Sequence, residues 1–258
     1  MRTGSFNWPG IKTLYFKEVR RFLKVYNQTI IAPLINALLL LAIFSLAMGS
    51  RPMTIGGLPF TVFMAPGLIM MSLIQHAFAN TSSAFIMGKV LGTIIDYLLP
   101  PLSPGEMVFC MVMGGVTRGL IVGASVALAI WIFVPLQVHH WGLMFFYAIA
   151  TSMLLSIVGL LAGVFADSFD QMSAVTSYVI TPLSFLSGTF YSVSSLPGIW
   201  YVISHMNPFF FAIDGFRYSL TGYHDGNLMA GMITITGCIT VLWAITYTLI
   251  ARGYRIKT

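Results

Sequence analysis

The chain has 258 residues, of which 57% are hydrophobic and only 8% are charged, and its formal net charge is +6. Because a soluble domain carries roughly 25% charged residues, this composition excludes a water-soluble globular fold. One membrane-spanning helix needs about 20 apolar residues, so the length allows six or seven spans with short connections and no additional soluble domain. The basic excess is typical of a chain that contacts anionic lipid, and no aromatic-interleaved basic surface predicts nucleic-acid binding.

The first predicted element is a basic amphipathic helix over residues 9–26. One face is apolar and the opposite face carries four cations. The apolar set is Ile11, Tyr15, Val19, Phe22 and Tyr26, and the basic set is Lys17, Arg20, Arg21 and Lys24. This helix is expected to lie in the membrane interface, with its aromatic side toward lipid, rather than as a solvated soluble helix. A secretory signal peptide is rejected, since the charged region is too long and the apolar run after it can span a bilayer.

Six apolar segments follow, so the predicted fold class is an all-α membrane protein with six transmembrane helices in one domain over residues 1–258. The expected spans are 29–48, 60–78, 107–134, 142–165, 172–191 and 228–250. Nine of the thirteen lysines and arginines precede the first span or follow the last, which predicts two cytoplasmic termini. Glycines spaced four residues apart predict close helix packing. They are Gly115, Gly119 and Gly123 in the third span and Gly159 and Gly163 in the fourth.

The segment 192–226, between spans five and six, is rich in aromatic residues and is interrupted at residues 197–198 and 207–208. Neither half is long enough to cross a bilayer. We therefore predict a re-entrant pair of short helices, because non-helical backbone at membrane depth must be buried in protein or line a water-filled cavity. A flexible external loop is the alternative.

Motifs for catalysis or for nucleotide binding are not recognisable in this sequence. The Gly-Lys pair at residues 88–89 is followed by Val90, and Ser83 stands where the first glycine of a nucleotide-binding loop is required. The histidines lack the spacing of a helical metal pair, and the two cysteines are expected to be inert packing residues. No catalytic, cofactor-binding or metal site is predicted in this chain.

Arg118 is a predicted intramembrane charge. Counted from residue 107, it lies about 16 Å into the membrane, and a charge at that depth is a functional candidate. Two interpretations stay open: it faces a polar cavity and meets an anionic substrate group, or it pairs with Asp167 or Asp170 or snorkels between spans. All seven acids fall in predicted loops or at span ends, so the energy for transport is expected to come from outside the chain.

Several loop motifs resemble those of the ABC type-2 permease family. The C-terminal set is LSFLSGTFY at 183–191, Leu196-Pro197, Asn207-Pro208, DGFR at 214–217 and LTG at 220–222. A second set, GTIIDYLL at 92–99 followed by PLS at 101–103, resembles the family's cytoplasmic loop between spans two and three. Within the family, the chain is most similar to the YadH-like bacterial inner-membrane permeases.

The resemblance implies the permease subunit of an ABC exporter in the bacterial inner membrane, moving an amphipathic or lipid-linked substrate such as a drug, a lipid or a glycan. It implies two permease copies and two copies of a separate ATPase subunit, with ATP and Mg²⁺ held by the ATPase and no cofactor in this chain. From the residues alone, an ion-coupled secondary transporter and a membrane-embedded enzyme acting on lipids remain the alternatives.

The same resemblance assigns roles to loop residues. The region 88–104 would be a cytoplasmic coupling region, whose coupling helix near Gly92 to Leu99 would dock in a groove on the ATPase. Its contact residues would be Gly92, Thr93, Asp96, Leu98 and Leu99. The segment 192–226 would close the outer end of the pathway. Its gate residues would be Pro197, Asn207, Pro208, Asp214 and Arg217.

Overall fold

The structure is a computed structural model that describes residues 7–48, 54–94 and 101–254. Within these ranges the chain is almost entirely helical. The α-helices are α1 Trp8–Leu23, α2 Ala32–Met48, α3 Phe60–Val90, α4 Pro104–Trp131, α5 Trp141–Phe165, α6 Phe169–Val175, α7 Thr181–Leu186, α8 Ile199–Met206, α9 Pro208–Thr221 and α10 Leu228–Ala251. Wider π-helical turns precede α2 and join α6 to α7, at Asn27–Ile31 and Thr176–Ile180.

Five helical segments in the described ranges are long and apolar enough to cross a membrane. They are Asn27–Ala47, Phe60–Val90, Pro104–Trp131, Trp141–Phe165 and Leu228–Ala251. A nearly all-α fold built from apolar helices is therefore confirmed. The predicted span 172–191 corresponds to three consecutive helical pieces, α6, the π-turn and α7, which begin at Phe169 and end at Leu186. The polar residues Asp170 and Gln171 lie in the first turn of α6.

Helix α3 lies at the centre of the bundle, between α4 and α5. Glycines determine how closely these two helices approach α3. A Cβ added to Gly115 on α4 would lie 2.3 Å from Ser156 Oγ and 3.1 Å from the carbonyl oxygen of Ala77. On α5, a Cβ added to Gly159 would lie 2.4 Å from the carbonyl oxygen of Phe78. The four-residue glycine spacing thus produces the close helix packing that the sequence predicts.

Helix α3 continues well past the predicted end of its span at residue 78. The polar residues that suggest a loop, from Asn80 to Ser82, are buried inside the bundle. Thr81 Oγ1 donates to the carbonyl oxygen of Ser156 at 2.7 Å, so α5 supplies the polar partner that water would supply in a loop. Helix α4 in turn begins at Pro104, earlier than the predicted 107, because Ser103 and Glu106 form a reciprocal capping box.

The bundle has two distinct ends. One apolar cluster lies at the end of the bundle that contains α1, which we call the α1 end. It is formed by α1, the C-terminal turns of α3 and α10 and the first turns of α4, and it includes Ile11, Ile94, Met107 and Ile250. The first and last helices of the described chain therefore meet at the same end. At the opposite end, α9 contacts the start of α5, where the amide of His139 donates to the carbonyl oxygen of Ser219 at 2.8 Å.

Two short helices, α8 and α9, occupy much of the segment 192–226. Asn207 caps α9 by accepting a hydrogen bond from the amide of Phe209 at 3.0 Å, and Pro208 begins that helix. The interruption at Asn207-Pro208 therefore separates two helices, as the sequence predicts. A two-residue antiparallel pairing of Thr54–Ile55 with Leu58–Pro59 also lies at this end.

Candidate functional site

The predicted coupling region is only partly described. After α3 ends at Val90, a turn places Gly92 at φ +69, a backbone conformation that favours glycine, and Thr93 is exposed. The amide of Ile94 donates to the carbonyl oxygen of Gly88 at 2.8 Å, which closes this turn against α3. Asp96, Leu98 and Leu99 lie outside the described residues.

Lys89 attaches this region to the bundle. Its Nζ donates to the last carbonyl oxygens of α5, those of Val164 at 2.5 Å and of Ala166 at 3.0 Å. The C-terminal carbonyl groups of a helix carry partial negative charge and lack intrahelical donors. Lys89 therefore joins the end of α3 to the end of α5 at the position where the coupling region begins.

Helix α1 packs against the protein as well as presenting a basic surface. Its buried face consists of Ile11, Leu14, Glu18 and Phe22, and it lies on α4. The expectation that the apolar stripe of α1 faces lipid therefore needs correction. Part of that stripe covers α4, because the glycine at position 114 leaves room for α1: a Cβ there would lie 2.8 Å from the Cβ of Glu18.

A polar cluster fixes α1 to α3. Arg21 pairs with the buried Glu18 at 2.8 Å and donates to the carbonyl oxygen of Asn80 at 2.7 Å. It also donates to Asn80 Oδ1 and to Ser83 Oγ, each at 3.2 Å. Sequence analysis did not find this cluster, since Arg21 belongs to the basic face by periodicity and its partners on α3 are about 60 residues away.

The N-terminus of α1 is joined to the start of α4 by a carboxylate. Glu106 accepts hydrogen bonds from the amide of Asn7 at 2.8 Å and from that of Ser103 at 2.7 Å. One side chain thereby orients α1, α4 and the last residues of the coupling region.

Arg118 lies on α4 one helical turn beyond Gly114, and it faces α3. Its Nη2 is 3.4 Å from His76 Nδ1, and its buried Nε has no hydrogen-bond partner in the described residues. Asp167 and Asp170 are exposed, and neither forms an ion pair with Arg118. His76 also lines a cavity of about 180 Å³ between α2 and α3.

At the opposite end, Asp214 and Arg217 are brought together inside the protein. Arg217 is fully buried; its Nε donates to the carbonyl oxygen of Phe63 at 3.2 Å and its Nη2 to that of Gly188. Its guanidinium carbon lies 3.9 Å from the centroid of the Phe63 ring. Asp214 Oδ1 is 3.9 Å from Arg217 Nη1, which is a buried ion pair within α9. The hydrogen bonds of Arg217 to Phe63 and Gly188 join α9 to α3 and to the residues that follow α7.

Hydrogen bonds to two carboxylates, those of Asp214 and Asp225, close the loop that follows α9. Asp214 accepts from the amides of Asp225 and Gly226 at 2.8 and 2.9 Å. Asp225 in turn accepts from Ser192 Oγ at 2.6 Å and from Tyr223 Oη at 2.7 Å. Burial raises the pKa of the Tyr223 phenol, so it remains a hydrogen-bond donor at neutral pH. Sequence analysis did not find Asp225 or Tyr223, which carry no motif.

The other predicted gate residues occupy different positions. Asn207 Nδ2 donates to the carbonyl oxygen of Leu183 at 3.0 Å and to Ser187 Oγ at 2.8 Å, which fixes the α8–α9 junction to α7. Pro197 is exposed in the turn before α8 and is separate from this network. Helix α8 itself exposes large apolar side chains, among them Ile199, Trp200 and Met206.

Comparisons with known proteins indicate the family to which this chain is similar. The family model described as ABC-2 type transporter matches residues 9–221. "Inner membrane transport permease YadH" of Escherichia coli (strain K12) is 38% identical over 251 residues, which is 97% of this chain and 98% of that protein. "Nodulation protein J" of Rhizobium leguminosarum bv. trifolii is 26% identical over 231 residues, which is 85% of this chain and 83% of that protein.

Proposed function

Because the chain belongs to the ABC-2 type transporter family, it is a transport permease, and we propose that it is the membrane-spanning subunit of an ATP-driven exporter. Membership of this family implies an ABC ATPase partner, and the family component is not itself an enzyme. We infer the finer assignment of an amphipathic or lipid-linked substrate from the resemblance of its loop motifs. The nucleotide and Mg²⁺ would then be held by the ATPase, and this chain would supply the pathway.

The assembly we propose contains two copies of this chain and two ATPase subunits in the inner membrane. The pieces over 169–186 form the sixth crossing in this proposal, and α8 and α9 form the re-entrant pair. An even number of crossings puts both termini on the same side of the membrane, and the basic residues of the two terminal segments assign that side to the cytoplasm in this proposal. The α1 end then faces the ATPase and the opposite end faces outward.

The mechanism that we propose depends on helix α3. It is a single helix of 31 residues, so it extends over about 46 Å. At one end Gly88 and Lys89 adjoin the coupling region, and at the other Phe63 contacts Arg217 of the proposed outer gate. ATP-dependent closure of the ATPase pair would displace the coupling region, and α3 would transmit the displacement to α9. Opening of the pathway is then a population shift favoured by ATP binding to the partner.

Removal of the coupling side chains tests this proposal. In the permease–ATPase complex, the double substitution Asp96→Ala and Leu98→Ala should leave membrane insertion unchanged and should uncouple ATP hydrolysis from transport. We expect about a tenfold or greater loss of transported substrate per ATP hydrolysed, because the ATPase would then turn over without moving the permease.

Met229→Ala is the matched control, because Met229 is exposed at the first turn of α10 and at the opposite end. It should leave the ratio of transport to hydrolysis unchanged. If the Asp96 and Leu98 double variant kept the wild-type ratio, region 88–104 would not be the coupling element.

A further inference from the structure

A polar seam runs between α2 and α3 within the membrane-spanning part of the bundle. The cavity of about 180 Å³ found there has five polar side chains in its wall. They are Gln28, Asn36, Ser72, Gln75 and His76. In the described part of the chain, the side chains of Gln28, Asn36 and Gln75 make no hydrogen bond. Because such groups cost several kcal/mol when they face hydrocarbon without partners, the seam is suited to water or to a polar ligand rather than to acyl chains.

Arg118 adds a positive charge beside this seam. It reaches the cavity through His76, whose ring also lines the wall. Across the described residues no carboxylate lies within ion-pair distance of Arg118. The carboxylate of Glu18, one helical turn nearer the α1 end, is already paired with Arg21. The local arrangement therefore leaves one cation at membrane depth with its Nε unsatisfied, and such a charge is costly unless an anion accompanies it.

We propose that Arg118 and the polar seam bind the anionic headgroup of the cargo, either a phosphate or a carboxylate. The planar guanidinium presents paired N–H donors that match the oxygens of both groups, and the amides of Asn36 and Gln75 supply neutral donors for the rest of the headgroup. The acyl or other apolar part of the cargo would lie along the exposed apolar face of α2, where Ile35 and Leu39 are exposed. This inference rests on the proposed transport function and specifies its substrate class.

The position of the site connects it with the α1 end. Gly114 and Arg118 are four residues apart on α4, and Asn80 and His76 are four residues apart on α3. The same two helix faces therefore carry the Glu18–Arg21–Asn80 cluster and, about 6 Å farther along, the proposed headgroup site. A shift of α1 relative to α3 would change the Glu18–Arg21–Asn80 cluster and the proposed headgroup site together. Binding and release of an anion at this site can therefore respond to the ATPase.

Equilibrium binding to the intact complex tests the site. The permease–ATPase complex is placed in bilayer discs of phosphatidylcholine alone, and three probes are compared: dihexanoyl phosphatidic acid, dihexanoyl phosphatidylcholine and inorganic phosphate. We expect the wild type to prefer the phosphatidic acid over the zwitterionic probe by about tenfold or more, and to bind inorganic phosphate weakly because it lacks the apolar part.

Substitutions identify the residue responsible. Arg118→Gln should abolish the preference for the anionic probe, and Arg118→Lys should retain part of it, since it keeps the charge and loses the planar fork. Arg20→Gln is the matched control, because Arg20 is an exposed cation on α1 and should leave the preference unchanged. Equal binding of the anionic and zwitterionic probes by the wild type, or an unchanged preference in Arg118→Gln, would overturn the proposal.

The effect of nucleotide on bound phosphatidic acid distinguishes a cargo from a resident lipid. If the headgroup belongs to cargo, bound phosphatidic acid should be released during turnover with Mg·ATP and retained with a non-hydrolysable analogue. Retention through many turnovers would mean a structural lipid and would overturn the cargo assignment. A complex that hydrolyses ATP and exports substrate normally in the Arg118→Gln variant would refute this inference alone, whereas failure of the chain to assemble with any ATPase would refute the proposed function.

Discussion

Two arginines in this chain show how the environment of a residue decides its role. Arg217 is fully buried, and its Nε and Nη2 donate to the carbonyl oxygens of Phe63 and Gly188 while the Phe63 ring lies over its guanidinium. Its Nη1 makes no hydrogen bond to the described residues but lies 3.9 Å from the carboxylate of Asp214. Arg118 has one weak contact, with His76, and an unsatisfied Nε. The first arrangement stabilises the junction of α9 with α3, whereas the second leaves a donor available to a ligand.

Replacing Arg217 with methionine should destabilise the opposite end of the bundle. The substitution removes two hydrogen bonds and leaves Asp214 buried without its cation, and breaking a buried pair in this way costs about 3 kcal/mol or more. Thermal unfolding in detergent, followed as the fraction of protein that remains monodisperse, should show a clear decrease in midpoint. Arg252→Met, at an exposed position after α10, should change it little. Equal midpoints for the two variants would show that the Arg217 network does not contribute to stability.

The sequence identified some of these residues and not others, for a physical reason. Asp214 and Arg217 lie in one short motif, three residues apart on a helix, so their association is local and can be read along the chain. Arg21 and Asn80 are brought together because α1 packs on α4, beside α3. Nothing local distinguishes Arg21 from the neighbouring surface cations, and the cluster therefore appears only in the folded protein.

At the scale of the element, α3 is the helix on which the packing of the bundle depends. Glycines of α4 and α5 let both helices approach its backbone, and hydroxyl groups such as that of Thr81 satisfy carbonyl oxygens across the contact. Small residues at a contact allow close approach of membrane helices, where no hydrophobic force draws apolar helices together. The rigidity of α3 therefore depends on these short distances.

Enlarging one glycine should separate α3 from α5. Gly159→Leu places a Cβ 2.4 Å from the Phe78 carbonyl oxygen, so the helices must move apart and the Thr81 hydrogen bond to Ser156 must lengthen. We expect a loss of about 1–3 kcal/mol of stability from overpacking, measured as earlier thermal aggregation in detergent. Gly237→Leu on α10 is the matched control, since a Cβ at Gly237 meets nothing within 4 Å. Equal denaturation of the two variants would show that Gly159 does not determine the distance between α3 and α5.

Helix existence was easier to predict than helix ends. Long apolar runs identify α3, α4, α5 and α10 from composition, because a bilayer requires such runs. The extension of α3 through residues 79–90 could not be read in the same way, since its polar side chains find partners on α1 and α5 rather than in water. The helical pieces at the fifth predicted span are likewise interrupted by a π-turn and have polar residues in their first turn, so hydropathy alone does not define this span.

At the scale of the whole molecule, the two ends of the bundle have different chemistry. The α1 end carries the exposed basic face of α1 and the start of the coupling region, whereas the opposite end carries the buried Asp214–Arg217 pair and the exposed apolar helix α8. The composition predicted a membrane protein, and the loop motifs predicted the ABC-2 family, which the comparisons confirm. The distribution of contacts between the ends depends on the fold and could not be predicted from composition.

We propose that this chain provides the pathway while a separate ATPase provides the energy. This proposal is tested most directly by transport into proteoliposomes that contain the chain alone, the ATPase alone or both, with matched proton and sodium gradients in each sample. We expect transport in the combined sample alone, with an absolute requirement for Mg·ATP and no dependence on either gradient. Transport by the lone chain with only an ion gradient would contradict it.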